Sequence, residues 1–237
     1  MHVALLTGRA GSTLADKNFR KVNGRPMCAY SCAAANMSGV FDKTFCSSNS
    51  KEILSISSAY GFKPIERPEH LSSATARHVD VIEHFLGILT ERNIQLSTLT
   101  VLMANSATVL PVHLAKAYSA LSGDNSLTSA VPVIVEQDHH PFRAKRVENG
   151  LLKTYFEFDQ EISSNRQDLP INHFLTHSFW SIRIQEGNRL PYSKCAQPWT
   201  FLGDRCFPIV LEQSIDVHHE QDFEHTSNWL TENTMVF

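Results

Sequence analysis

The chain opens on a nearly unbroken apolar run, His2 to Leu6, and comparable runs return at residues 43–48, 62–66, 97–105 and 127–136. Short runs bounded by glycine, serine or asparagine read as buried strands. Between them lie longer segments with helical periodicity. Pro26 to Met37 stops near Ser38 and Gly39. A second helix runs from about Glu52 to Tyr60, with Asn49 or Ser50 as its cap and Gly61 at its end. The longest spans about Ala76 to Arg92, where Val79, Ile82, Phe85, Leu86 and Leu89 share one face. Pro111 to Leu121 is another. This alternation predicts a three-layer α/β fold with a mostly parallel sheet and right-handed crossovers. Ligands of such sheets sit at the C-terminal strand ends. Here those ends carry Thr7 to Ser12, Ser47 to Ser50, Arg67 to Thr75 and Asn105 to Thr108.

From His139 the pattern changes. "FRAKRVENGLLKTYFEF" holds two short alternating runs around Glu148, Asn149 and Gly150, a hairpin signal. Residues 157–170 are polar, "HSFWSIRI" and "CFPIVLE" regain strand character, and Glu220 to Glu232 forms a last helix. Residues 1–237 are therefore expected to form one domain, with a hairpin or arm at about 140–180 inserted in it.

Composition adds exclusions. With 42% hydrophobic and 19% charged residues and a formal net charge of -3, the chain carries no basic footprint for duplex nucleic acid. No apolar run reaches membrane-spanning length and no leader pattern opens the sequence, so a cytoplasmic protein without membrane attachment is expected. Five cysteines, Cys28, Cys32, Cys46, Cys195 and Cys206, lack paired metal spacing and read as reduced thiols.

Candidate chemistry concentrates in "ALLTGRAGSTLADKNFRKVNGRPM", from Ala4 to Met27. A buried strand here empties into Thr7, Gly8, Arg9, Gly11 and Ser12, whose amides can turn toward an anion, with Lys17 and Asn18 following. The loop fits neither the P-loop nor the three-glycine dinucleotide pattern.

Five fragments, "GRAGSTLADKN", "VFDKTFCSSNSKEILSISSAYG", "RPEHLSSATARHVDVIEHFL", "HHPFRAKRVENGLLKTYF" and "SIDVHHEQDFEHTSNWL", occur in an order that resembles the acylneuraminate cytidylyltransferases, with Kdo cytidylyltransferases as further relatives. The resemblance implies a Rossmann-like domain of the nucleotide-diphospho-sugar transferase type, with a dimerisation arm and a homodimer. It implies transfer of CMP from CTP to the anomeric hydroxyl of a 2-keto-3-deoxy sugar acid, assisted by Mg2+ or another divalent cation.

By resemblance, Arg9 and Lys17 contact the triphosphate, Gly11 and Ser12 supply amides or a hydroxyl, and Asn18 lies beside the nucleotide. Arg67 reads cytosine, Ala76 and His78 sit near the base, and Asn105 faces the sugar. Asp216 approaches the metal and the reacting centre. Bland alternatives stand beside these roles: a solvated pair for Arg9 and Lys17, a helix first turn for His78, and a cap for Asp216.

The chain also departs from the family pattern. Thr13 stands where a lysine is usual, in a loop one residue shorter. Ala104 to Leu110 replace Gln-Pro-Thr-Ser-Pro-Leu-Arg. Ala74 replaces an aspartate, and His218 replaces the second metal carboxylate, bringing a softer ligand to that position. These changes keep open a second reading, a catalytically impaired nucleotide-binding homologue with a regulatory or partner-binding role. A glycosyltransferase is disfavoured because no Asp-x-Asp triplet ends a strand.

Overall fold

The computed structural model describes residues 1–11 and 14–233. In chain order the elements are β1 (His2–Thr7), β2 (Lys21–Val22), β3 (Arg25–Pro26), α1 (Met27–Ser38), β4 (Lys43–Ser48), α2 (Lys51–Ala59), β5 (Lys63–Glu66), α3 (His78–Glu91), β6 (Thr98–Met103), α4 (Pro111–Gly123) and β7 (Ser129–Val135). They continue with β8 (Lys145–Glu148), β9 (Leu151–Thr154), β10 (His173–Leu175), β11 (Phe179–Arg183), β12 (Cys206–Leu211) and α5 (Glu220–Glu232).

One sheet organises the molecule. β6, β1, β4 and β5 lie side by side and parallel, as the alternating pattern predicts. β11 then enters antiparallel between β6 and β7, a placement the sequence pattern did not supply. Its Phe179, Trp180 and Ile182 are buried, and Ser181 shares a 2.7 Å hydrogen bond with Thr100 of β6, so the inserted strand satisfies its polar groups inside the sheet. β10 continues along the same edge of β7, while β12 runs parallel along the other.

Apolar side chains cover both faces of the sheet. On one, α3 contributes Ile82, Phe85, Leu86 and Leu89 to a cluster with Leu5, Val101 and Trp180. On the other, Cys28 and Cys32 of α1 and Cys46 of β4 pack with Leu6, Ile53 and Leu102 as small apolar groups. Burial pushes the Cys28 thiol up to about 12 and the Cys46 thiol to about 11. A third cluster joins Val22, Met27 and Tyr30 to Ile215, Val217, Phe223 and Trp229, bringing the C-terminal segment back to the opening loop.

The local signals hold. Gly39 ends α1 in the left-handed region at φ 67°, and the Ser50 hydroxyl accepts from the Ile53 amide to cap α2. Asn149 and Gly150 both take positive φ, 53° and 76°, in the turn between β8 and β9. Among the described residues no helix is long and apolar enough to cross a membrane.

Candidate active site

The C-terminal ends of β1, β5 and β6 meet the starts of α3 and β11 around a cleft of about 590 Å³. Thr7, Gly8, Arg9, Lys17, Asn18, Arg67, Ala76, His78, Asn105, Asp216 and His218 line it. Residues separated by some two hundred positions in sequence thus share one cavity. Gly11 lies in the opening loop at φ 68°, a conformation suited to glycine. Ser12 and Thr13 lie outside the described residues.

The opening loop is anchored from several sides. The Gly8 amide donates to the Ser47 carbonyl at 3.4 Å and the Ala10 amide to Asn49 Oδ1 at 2.9 Å. Asn18 Nδ2 donates to the Arg9 carbonyl at 2.9 Å, and the Arg9 guanidinium reaches the Gly11 and Ser72 carbonyls at 3.2 and 3.4 Å. Gly8 sits so close to the end of β6 that an added Cβ would lie 2.7 Å from that of Ala104. Gly8→Ala is accordingly expected to push the loop off the β6 end and cost on the order of 1–3 kcal/mol, the usual range for overpacking. Chemical denaturation measures this; a variant as stable as the parent would contradict the packing.

Three cations face the cleft. Lys17 is buried, and its ammonium donates to the Val217 carbonyl at 2.6 Å. Burial pulls its pKa below the ordinary lysine value, Asp216 opposes that shift, and Arg9 adds to it. Arg67 is also buried; its Nε donates to Ser47 Oγ at 3.3 Å and its Nη2 to the Ser47 carbonyl at 2.7 Å. Burial, reinforced by Arg9, lowers it to about 10, against an opposing contribution from Cys46. Among the described residues none of the three forms an ion pair with a carboxylate, so their charge is available to an external anion.

Asp216 lines the same cleft, beside Lys17. The segment carrying it is laced to the loop after β6: Ser106 Oγ donates to the Ile215 carbonyl at 3.0 Å, the Ile215 amide to Thr108 Oγ1 at 3.1 Å, and the Val217 amide to the Asn105 carbonyl at 3.1 Å. Asn105 Nδ2 donates to Asp216 Oδ1, and His218 Nε2 lies 2.9 Å from Asp216 Oδ2. The cap of α5 belongs to Asp222, whose Oδ2 accepts from the His218 and His219 amides at 2.7 Å. Asp216 is thereby released from capping and presents its carboxylate to the cleft.

Sequence reasoning missed the far wall. Trp180 of β11 lies between the His78 and His177 rings, with centroids 5.1 and 5.6 Å away, and its buried indole N–H has no hydrogen-bond partner among the described residues. The "HSFW" run signalled a strand, but nothing in it revealed the antiparallel insertion that turns its first residues toward the cleft.

Thr7 Oγ1 lies 2.8 Å from His78 Nε2 and 3.2 Å from the Leu102 carbonyl; with the hydroxyl donating to that carbonyl, a neutral His78 donates to Thr7 from Nε2. Burial, then Arg67 and His177, hold His78 at about 4, and burial holds His2 at about 4 as well. The unfolded chain takes up these protons as pH falls through the ordinary histidine value, about 6.5, and the folded chain only near 4. Their contribution is fully present above about 6.5 and is lost as pH falls toward 4, at up to about 1.4 kcal/mol per pH unit for each ring. His78→Gln keeps a neutral donor for Thr7, so its stability should fall less than the parent's between about pH 7 and pH 5. An equal fall in urea titrations would contradict the shift at His78.

The mostly parallel sheet, the loop at the C-terminal end of β1 and the returning C-terminal segment build a three-layer α/β fold around this cleft. Residues 3–177 match the cytidylyltransferase family, and the chain belongs to it. The match contains Arg9, Lys17, Arg67 and Asn105; Asp216 and His218 lie beyond it.

Two relatives are each 32% identical to this chain. One is the N-acylneuraminate cytidylyltransferase of Escherichia coli, over 90 residues, which are 38% of this chain and 22% of that protein. The other is the pseudaminic acid cytidylyltransferase of Campylobacter jejuni, over 94 residues, 39% of this chain and 40% of that protein. The matched stretches span less than half the length of either relative.

The fold is similar to that of CMP:2-keto-3-deoxy-manno-octonic acid synthetase solved with CTP, at TM-score 0.69 and 13% identity over 98% of this chain and 99% of that one. It is also similar to 4-diphosphocytidyl-2C-methyl-D-erythritol synthase from Anaerococcus prevotii, at TM-score 0.61 and 12% identity over 97% of this chain and 98% of that one.

Proposed function

We propose that the protein transfers CMP from CTP to the anomeric hydroxyl of a 2-keto-3-deoxy sugar acid, sialic-acid-like or Kdo-like, and releases pyrophosphate. The observation that carries this reading is the grouping of Arg9, Lys17 and Arg67, unpaired with carboxylates among the described residues, in one cleft with Asp216. Membership of the cytidylyltransferase family supports it.

In this reading Arg9, Lys17 and the loop amides hold the triphosphate and draw negative charge off the phosphorus under attack. Arg67 retains donors beyond those it gives Ser47 and offers them to the acceptor edge of cytosine, with Ala76 and His78 beside it. Asn105 uses Nδ2 on Asp216, and its Oδ1 takes no part in that bond, so it can accept from a sugar hydroxyl. His177 and Trp180 supply the wall against which the acid packs.

Asp216 and His218 are the donors that would hold a divalent cation, whose charge would offset that of the triphosphate and leaving group. Substrate phosphates and water would supply the remaining ligands.

A pyrophosphate-release assay with CTP, a divalent cation and a panel of such acids tests the proposal. Release that requires both CTP and one of the acids is expected; CTP binding without release for any acid would favour a nucleotide-binding homologue. We also propose a homodimer formed through the 140–180 arm, whose Val147, Leu151 and Leu152 stand 74, 61 and 73% exposed. Light scattering that finds only monomers would contradict the dimer.

A further inference from the structure

We infer that this cleft selects a first-row transition ion over magnesium, through Asp216 Oδ2 and His218 Nε2 acting together. The inference rests on the proposed CTP reaction and refines the identity of its cation. These two atoms lie 2.9 Å apart across a segment with little freedom to move. Lys17 holds the Val217 carbonyl between them, Asn105 and the Ser106 and Thr108 hydroxyls fix residues 215–217 from one side, and Asp222 fixes the His218 amide from the other. The imidazole therefore meets the carboxylate because its backbone is pinned there, although the ring itself is more than half exposed.

Asn105 donates to Oδ1, which directs the ligand capacity of Asp216 to Oδ2, the oxygen beside the imidazole. The protein thus offers one oxygen and one nitrogen. Magnesium is hard and takes oxygen ligands, whereas imidazole nitrogen suits later and softer divalent ions. Among the described residues no group of three or more His, Cys, Asp or Glu side chains is placed to hold a metal. The pair accordingly gains its ion together with the triphosphate oxygens, and affinity for the ion is expected to depend on CTP.

The probe is Mn2+, observed by electron spin-echo spectroscopy on the full chain with CTP. Modulation from a directly bound imidazole nitrogen is expected, and labelling histidine with 15N should change it. In His218→Asp, at an exposed position, that modulation should vanish while thermal melting stays unchanged. The ratio of Mn2+ to Mg2+ affinity of the CTP complex, read by calorimetry, should fall about tenfold or more in the variant. Bound Mn2+ without nitrogen modulation in the parent chain, or an affinity ratio equal in both proteins, overturns the inference while leaving the CTP reaction standing. Failure of CTP to bind with either ion overturns both.

Discussion

Asp216→Asn should lower kcat by about 10² to 10³ at saturating CTP, the loss typical of removing one preorganised electrostatic group from a reacting centre. The substitution is nearly isosteric, and an asparagine oxygen can still accept from Asn105 Nδ2, so the lacing of residues 215–217 to the β6 loop is kept. What disappears is the negative charge. A cation held as proposed would lose its anionic protein ligand, and Lys17 loses the charge that opposes the lowering of its pKa by burial. Melting within a degree or two of the parent, together with a collapse in kcat, is the expected pair of results. A collapse in stability would instead mark Asp216 as a structural residue, and an unchanged kcat would remove it from the chemistry.

Arg67→Met should weaken CTP binding by about 10- to 150-fold, corresponding to about 1.5–3 kcal/mol for hydrogen bonds made by a charged group. It should also erase discrimination between CTP and UTP. The guanidinium is held by Ser47 from one side and is buried with no carboxylate paired to it among the described residues, an arrangement that presents a fixed fork to a ligand. Cytosine offers acceptors at both O2 and N3, whereas uracil places a donor at N3, so a rigid donor pair favours the former. Loss of the bond to the Ser47 carbonyl will also lower stability, so binding must be measured well below the melting point. Arg67→Lys, which keeps the charge without the fork, should recover little selectivity. A variant that still prefers CTP would assign base reading to other groups.

Local features of the fold were largely legible in the sequence because each rests on neighbouring residues. Gly39, Ser50 and the Asn149–Gly150 turn are decided within a few positions, and the strand runs by burial on both faces. The antiparallel entry of β11 was not legible, since it depends on which strand edges remain open once β6 and β7 are in place.

The site divides the same way. Arg9, Lys17 and Asn18 follow a single strand end and were visible as a loop. Asp216 could be assigned only by resemblance, because its meeting with Asn105 spans 111 positions and is made by hydroxyls of Ser106 and Thr108 that carry no signal of their own. His177 and Trp180 escaped notice for the reason that hid β11. His78 combines both readings: it begins α3, and it also faces the cleft with its ring nitrogen on Thr7.

Phosphorus NMR of the protein with CTP, a divalent cation and each of several 2-keto-3-deoxy sugar acids tests the central claim most directly. With an accepted acid, the three CTP signals should give way to pyrophosphate and a single phosphodiester signal of the CMP-sugar. CTP that persists unchanged with every acid, or that loses only its terminal phosphate, would contradict the claim.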